Sequence, residues 1–355
     1  MPLFPAMVAA GWVDGGEAGL LGAAALLGYL IGALGGHAVA LRLGVPRTLD
    51  LGMALIVVAL TACAWNGGFW WLMGWRTLAG VAGGFLMALA GPATQASVPA
   101  ARRGTAGGVV IGGVGVGIAL GAAAVPLLLT LGVPATWLGL AALAALLWAF
   151  AHPRWPEMAL APRGAPAEAL PPGRHLVVLT HGLHGAGMVP PMVYLADLAA
   201  RGRGLGVEFG AAVWLLFGIG GVLGSVLSGR AVDRIGGLPA LLLWLAAQAL
   251  ALALALPTPP WLMGPAAIVS GFAAVGVTAV MLSVTRAIAP APAAASRLWV
   301  RCTAAFAVVQ TVVGFALAGV FAWTGESHAA VFGTGLAFSL AALGCAALLA
   351  RRGAG

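Results

Sequence analysis

The sequence predicts an all-α integral membrane protein, and its composition and its long apolar runs carry this prediction. Of its 355 residues, 62% are hydrophobic and 7% are charged, and the mean hydropathy is +1.05. A soluble globular domain needs charge on roughly a quarter of its residues, so the composition excludes one. A helix that crosses a bilayer takes about 20 apolar residues, which leaves room for about a dozen crossings.

Apolar runs separated by glycine, proline or charge predict twelve spans in order. They lie near residues 1–12, 18–41, 49–65, 69–91, 106–131, 135–151, 175–196, 209–229, 237–256, 261–284, 302–323 and 329–350. The first is short, because twelve helical residues rise ~18 Å against a hydrocarbon core of ~30 Å. We expect an N-terminal piece of about a dozen residues ahead of Met1 to complete this span; a re-entrant first span is the alternative.

The distribution of arginine predicts a cytoplasmic C-terminus in the plasma membrane, here the cell inner membrane. All 17 basic residues are arginines. The loops on the same side as such a C-terminus lie near residues 42–48, 92–105, 152–174, 230–236 and 285–301. Together with the C-terminal tail they hold fourteen arginines, whereas the opposite side holds two, Arg201 and Arg203. This is a strong positive-inside bias.

An internal repeat predicts two six-helix halves. The Pro-rich stretch 152–174 reads as a cytoplasmic linker between residues 1–151, with an incomplete first span, and residues 175–355. The tetrapeptide WLMG at 71–74 recurs at 261–264. A second match, at an offset of 192, pairs Gly28, Gly32, Arg42 and Gly44 with Gly220, Gly224, Arg234 and Gly236. Two matches at consistent offsets are typical of duplicated transporter halves.

Residues 229–236, GRAVDRIG, resemble the G-x-x-x-D-R-x-G signature of the major facilitator superfamily. In the first half the equivalent stretch begins at Leu41, where the signature has aspartate, which weakens the motif there. Residues 76–80, RTLAG, resemble the R-x-x-x-G motif of the fourth helix in that family. Span 5 lacks the Gly-Pro pair associated with antiporters, which argues against efflux.

A closer resemblance is to the YbfB/YjiJ-like group, carried by HGLHGAGMVPPMVYLADLA at 181–199 and FAVVQ at 306–310. It implies a major-facilitator-type bundle and a secondary active transporter that works by alternating access. It also implies a small-molecule solute and no cofactor, and it makes Tyr29, Tyr194 and Gln310 candidates for the solute cavity. Gln248, on a helix that is peripheral in the family, is expected to be structural.

Arg76 is the candidate for binding an anionic solute. A charge at membrane depth costs ~2.5–3.5 kcal/mol, so it should face a watered cavity or a partner. The guanidinium suits a carboxylate or phosphate, and no Asp or Glu lies in the middle of any predicted span. The solute is therefore expected to be an anion. The alternative is an arginine that reaches the membrane interface or bonds backbone carbonyls.

His181 and His184 are three residues apart and so share one face of span 7. A histidine titrates near pH 6.5 and could carry a coupling proton; a bond to a backbone carbonyl is the structural alternative. The HxxH spacing alone is a poor metal signal, since no further ligand is placed nearby. The repeated motif residues Arg42, Gly44, Asp233, Arg234 and Gly236 are expected to hold the cytoplasmic side shut.

Other functions remain as alternatives or are excluded on the sequence. A drug or metabolite exporter, a transport-inactive receptor or scaffold, and a truncated product stay open. No nucleophile, metal cluster or acid pair lies at reactive spacing, so an enzyme is not expected. The glycines of span 5 favour close helix packing over nucleotide binding. The expected partners are the solute and the lipid bilayer, without nucleic acid, and the expected assembly is a monomer.

Overall fold

The computed structural model describes residues 3–99, 103–158, 173–256, 259–289 and 292–353. Within these ranges the fold is all α, as the sequence predicts. The helices are α1 Leu3–Ala9, α2 Gly15–Leu43, α3 Val45–Ala62, α4 Phe69–Ala96, α5 Arg103–Leu129, α6 Val133–Ala151, α7 Arg174–Asp197, α8 Gly206–Ile235, α9 Gly237–Ala255, α10 Met263–Ile288, α11 Pro292–Trp323 and α12 His328–Gly353.

Eleven helices of the described ranges, α2 to α12, are long and apolar enough to cross a membrane. The first helix, α1, has seven residues, so its described part falls short of a crossing. The expected all-α membrane bundle is thereby confirmed. Residues 159–172, the middle of the expected linker, lie outside the described residues.

The loops expected near 42–48 and 230–236 were placed wrongly. Helices α2 and α3 meet at Gly44, and α8 and α9 meet at Gly236. Both glycines have φ of +84°, a left-handed conformation that suits glycine and lets the chain turn within one residue. Arg42 and Arg234 therefore lie in the last helical turns of α2 and α8.

The start of α11 was also placed wrongly, since it begins at Pro292 instead of near residue 302. Proline is well tolerated at the first position of a helix, and the alanines that follow it are strong helix formers. As a result, Arg297 and Arg301 lie on a helix and not in the expected loop 285–301.

Close glycine contacts join α2 to α4 and α8 to α10. A Cβ on Gly28 would overlap the carbonyl oxygen of Thr77, and a Cβ on Gly220 would overlap that of Ile268. The same relation is repeated at the pairs Gly32–Val81 and Gly224–Phe272, and at Gly80–Ala25 and Gly271–Phe217. Membrane helices pack through small residues that let their backbones approach, because in lipid there is no hydrophobic driving force for helix association.

The first six helices meet the last six through α5 on α8 and α2 on α11. At the first contact Gly115 approaches the backbone nitrogen of Val222. At the second, the hydroxyl of Thr311 in α11 donates to the carbonyl of Leu26 in α2 at 3.2 Å. We call the end of the bundle where α7 finishes the Asp197 end, and the end where α7 begins the Arg174 end.

Candidate functional site

Helix α7 positions the two histidines of the candidate site. His181 and His184 are 1% and 0% exposed, and their imidazole rings stack with centroids 5.6 Å apart. Pro190 and Pro191 lie inside the same helix. Neither proline has an N–H to donate, so the helix loses two backbone bonds just beyond the histidines.

A side-chain network from two other helices meets His184. Its Nδ1 bonds the Oε1 of Gln248 in α9. The Nε2 of Gln248 donates to the backbone carbonyl of His184 at 3.1 Å and to the hydroxyl of Ser339 in α12 at 3.0 Å. Gly187 leaves the space for this network, since a Cβ there would overlap the Ser339 hydroxyl. We call His181, His184, Gln248 and Ser339 the α7 polar cluster.

Aromatic rings of α11 cover the histidines. Phe306 stacks on His181 with centroids 4.9 Å apart and lies 5.7 Å from His184. Trp299 lies 5.7 Å from His181. Gly185 admits the Phe306 ring, because a Cβ at that position would come within 2.9 Å of it. The cluster is thus closed off from water in this conformation.

The sequence did not identify Gln248 or Ser339 as partners of His184. Gln248 was expected to be a structural residue, and Ser339 was not singled out. Both are polar residues inside apolar helices, which is a weak signal. Gln248 lies 64 residues beyond His184, and Ser339 lies a further 91 residues beyond Gln248. No spacing rule within one helix can connect them.

Arg76 is buried in the first six helices, at 4% exposure. Its guanidinium lies over the ring of Trp137 in α6, 5.9 Å from the centroid, and it is close to Cys63 at the end of α3. These two contacts lie on α6 and at the end of α3, whereas the α7 polar cluster is built from α7, α9 and α12 and is covered by α11. These contacts do not bring the two groups of predicted residues together.

The other predicted cavity residues are spread along α2, α7 and α11. Tyr194 is 2% exposed and packs on Phe321 with centroids 5.0 Å apart. A Cβ on Gly19 of α2 would lie 2.5 Å from the Tyr194 hydroxyl, so the two helices touch here. Gln310 is buried and donates to the sulfur of Met192 at 3.3 Å. Tyr29 is half-buried on α2.

The predicted gating residues lie at the Arg174 end of the bundle. All five are exposed: Arg42, Gly44, Asp233, Arg234 and Gly236. Arg42 and Arg234 stand in the last turns of α2 and α8, where a positive charge interacts favourably with the helix dipole.

A charged cluster at the Asp197 end was missed by the sequence analysis. Arg201 donates to both carboxylate oxygens of Asp197, at 2.5 and 2.8 Å, and to Glu326 at 2.6 Å. His328 bonds Asp197 at 2.8 Å. Only the Asp197–Arg201 spacing of four gave a local signal. We call these four residues the Asp197 cluster.

The Asp197 cluster belongs to the last six helices and touches the first six. Gly15 begins α2, and a Cβ on it would overlap the Glu326 carboxylate and come within 2.6 Å of the Arg201 guanidinium. Glu326 has a φ of +65°, an uncommon conformation for a residue with a side chain. The start of α2 is therefore packed directly on the charged side chains.

A cavity of about 290 Å³ opens at the Arg174 end between α7 and α11. Among the described residues, its lining combines apolar side chains with three basic ones, Arg174, His175 and Arg301, and no acidic one. Within the same described part of the chain, no group of three or more His, Cys, Asp or Glu residues could hold a metal ion. The mixed basic and apolar lining of this cavity suits an anion with an apolar body.

No curated protein matches this chain. The model of a family described as "Uncharacterised MFS-type transporter YbfB" matches residues 1–347. Because this match covers nearly the whole chain, the protein belongs to the YbfB family of major facilitator transporters and is a multi-pass membrane transporter.

Proposed function

We propose that the protein is a secondary active transporter that moves a small anionic solute across the cytoplasmic membrane by alternating access. The observation that carries the proposal is the basic lining of the cavity at the Arg174 end, in a chain that belongs to a transporter family. At the Asp197 end, α2 packs on the Asp197 cluster. At the Arg174 end, a cavity opens between α7 and α11. A second cavity, of about 370 Å³, opens at the Asp197 end beside Arg201, Glu326 and His328. In this proposal, alternating access widens one end of the bundle while it narrows the other.

The two moving units of this mechanism are residues 1–151 and 175–355, joined by 152–174. The equivalent glycine contacts of α2–α4 and α8–α10 support their origin as a repeat. Arginine-rich segments are retained on the cytoplasmic side, so the Arg174 end and the C-terminus are cytoplasmic in this proposal. The exposed residues Arg42, Asp233 and Arg234 would then make contacts that differ between states.

The sign of the solute follows from charge. Arg174, His175 and Arg301 surround the cavity, and a cleft lined by one sign of charge concentrates ions of the opposite sign. Arg76, in helix α4, adds a positive charge at membrane depth. In this proposal it acts on the solute or on coupling after the first six helices move, since in this conformation it lies on Trp137.

Proton coupling is assigned to the α7 polar cluster. Histidine changes charge between pH 5 and 8 and can accept a proton that enters with the solute. His181 and His184 lie on the helix that also lines the cavity with Gly182, so a movement of α7 against α11 would expose both to the solute path.

The test is uptake by the purified full chain in proteoliposomes with an imposed inward proton gradient. Radiolabelled benzoate is the anionic probe and radiolabelled choline is the cationic one, and the uptake of each is corrected for uptake by protein-free liposomes, because neutral benzoic acid crosses bilayers unaided. We expect benzoate uptake that falls about tenfold in Arg301→Gln, as expected when a charged partner worth about 1.4 kcal/mol is removed. Arg351→Gln, which changes an exposed arginine at the same end outside the cavity, is the matched control.

Preferential uptake of choline would overturn the anionic assignment. Uptake of neither probe by well-folded protein would count against transport of this class and favour the receptor or scaffold. Equal losses in Arg301→Gln and Arg351→Gln would show that the cavity is not the path.

A further inference from the structure

We propose that Gln248 is a positioning residue that, with Ser339, holds His184 as the Nδ1–H tautomer and leaves its Nε2 as a proton-accepting atom. The inference rests on the proposed function for its role in coupling. The arrangement of bonds itself is independent of that function. It assigns a part in the site to α12 and to α9, the helix that was expected to be peripheral.

The tautomer follows from the partners of the Gln248 amide. The backbone carbonyl of His184 can only accept, so the side-chain nitrogen of Gln248 must face it, which fixes the orientation of the amide. The Oε1 then faces Nδ1 of His184. Since an amide oxygen can only accept, the Nδ1 must carry the proton.

Protonation of Nδ1 determines the state of the other ring nitrogen of His184, Nε2. A neutral imidazole with a protonated Nδ1 has a lone pair on Nε2. That atom is buried and has no hydrogen-bond partner among the described residues. A buried acceptor without a partner is costly, so its retention is explained if it receives a proton or a ligand donor in another conformation.

The side chains around His184 leave its own imidazole ring as the group that accepts the proton. From the packed helices, Gln248, Phe306 and Ser339 reach the cluster, and none of them is charged. On α7 the titratable neighbour is His181, whose ring stacks on that of His184. Its buried Nδ1 also has no hydrogen-bond partner in the described part of the chain. A proton taken by one imidazole therefore disfavours a second on the other.

A hydrogen bond from another residue to one ring nitrogen of a histidine is a known way to fix the tautomer, and so to decide which nitrogen can accept a proton. The competing interpretation is that Gln248 only ties α9 to α7 and α12. If Gln248 only links the helices, Gln248→Leu and Gln248→Glu would weaken that link to different degrees. The link would not depend on which ring nitrogen of His184 carries the proton. The tautomer itself is therefore the discriminating observable.

The first experiment is nitrogen-15 NMR on histidine-labelled full chain in lipid nanodiscs, with His184→Gln used to assign the resonances. We expect the neutral His184 to show a protonated Nδ1 and an unprotonated Nε2. In Gln248→Leu the Nε2–H form should become the major one, whereas Gln248→Glu keeps an acceptor oxygen and should keep Nδ1–H. Ser270→Ala, another buried serine in the last six helices, is the matched control and should change nothing.

Nε2–H as the major form in the wild-type protein, or an unchanged tautomer in Gln248→Leu, would overturn the proposal. The second experiment compares proton-driven benzoate uptake in the same variants at matched amounts of folded protein. We expect Gln248→Leu to lose about tenfold or more, the loss typical of removing a group that orients a functional histidine. Gln248→Glu should retain most uptake.

The two experiments separate the two proposals. If the wild-type chain takes up no probe but shows the Nδ1–H form that Gln248→Leu abolishes, the proposed function fails and the positioning of His184 stands. If uptake is normal and equal in Gln248→Leu and Gln248→Glu, the transporter stands and the positioning role is wrong.

Discussion

The helix pairs α2–α4 and α8–α10 pack in the same way, whereas the polar groups buried in the first and last six helices differ. In both pairs glycines of one helix rest on backbone carbonyls of the other, at positions 191 or 192 residues apart. The first six helices bury Arg76 against Trp137, and the last six bury the α7 polar cluster. Backbone contact is common to both sets, and polar chemistry is specific to each.

The helix pairs differ at one position in an instructive way. In the first pair, Gly84 of α4 fits against the backbone at Tyr29 of α2. In the second pair the corresponding residues are Val275 and Gly221, and here the valine side chain approaches the glycine. The small residue has moved from one helix to the other, and the space is filled in both. Close packing tolerates such exchanges when total volume is kept.

The largest effect is expected from replacing the glycines that lie on carbonyls. Gly28→Leu and Gly220→Leu should each reduce folded protein to a trace, because the obstacle is backbone and cannot rotate away. The cost should exceed the ~1–3 kcal/mol of ordinary overpacking. Size-exclusion chromatography of a fluorescent fusion measures the folded fraction.

Gly35→Leu in α2 and Gly229→Leu in α8 are the controls, because a Cβ at either position meets nothing within 4 Å. They should express normally. A large loss for Gly28→Leu with a small one for Gly220→Leu would show that the two pairs are not equivalent in stability.

The next effect concerns the Asp197 cluster, a group of charges that the last six helices present to the start of α2. Asp197→Ala leaves Arg201 and His328 without their shared carboxylate. Breaking a fully buried pair costs about 3–5 kcal/mol, but the Arg201 side chain is 26% exposed. We expect a loss of about 1–3 kcal/mol, seen as a lower melting temperature.

The control for this variant is Asp233→Ala, which removes an exposed acid at the opposite end. It should shift the melting temperature little, since exposed charges contribute little to stability. Equal shifts would mean that the Asp197 cluster is no more than a solvated surface.

The sequence was sufficient for the architecture because composition and glycine periodicity are local and abundant. The apolar runs predicted the membrane bundle, and the matches at Gly28 and Gly32 correspond to real close contacts in both helix pairs. Helix ends were less predictable. Gly44 and Gly236 end helices within one residue, and the start of α11 depends on the helix propensity of a short alanine-rich stretch.

The site was harder to predict because its bonds are long-range. His181 and His184 could be named from their spacing, but Gln248 and Ser339 reach them from helices far along the chain. Arg201 and Glu326 are 125 residues apart, and the turn that presents Glu326 has no distinctive motif. Which polar residues meet is decided by the packing of whole helices, which sequence spacing does not encode.

A smaller effect should follow from Asp50→Leu, which makes α3 match α9 at the equivalent position, Leu242. Asp50 accepts from the indole nitrogens of Trp148 and Trp155, both at 2.8 Å, and bonds His152 at 2.9 Å. Because the Asp50 side chain is 22% exposed, we expect a loss of about 1 kcal/mol rather than the larger values of buried charged bonds.

Thermal unfolding monitored by tryptophan fluorescence measures the Asp50→Leu effect. Arg47→Leu, at an exposed position on the same helix, is the matched control. A gain in stability for Asp50→Leu would show that this departure from the repeat serves something other than holding the chain after α6.

The smallest stability effect is expected from Arg76→Lys, which tests whether the buried charge of the first six helices serves function more than folding. Lysine keeps the positive charge and can still lie over Trp137, but it lacks the planar group, so only part of a contact worth about 0.5–2 kcal/mol is lost. Melting temperature should therefore fall by a few degrees at most, while benzoate uptake should fall much further if the guanidinium binds or couples to the anion. Trp137→Phe is the control, since it weakens the same ring contact and leaves the guanidinium in place. Parallel losses of uptake in the two variants would mean that Arg76 acts through its packing on α6, and the first six helices would then contribute structure where the last six contribute the histidine chemistry.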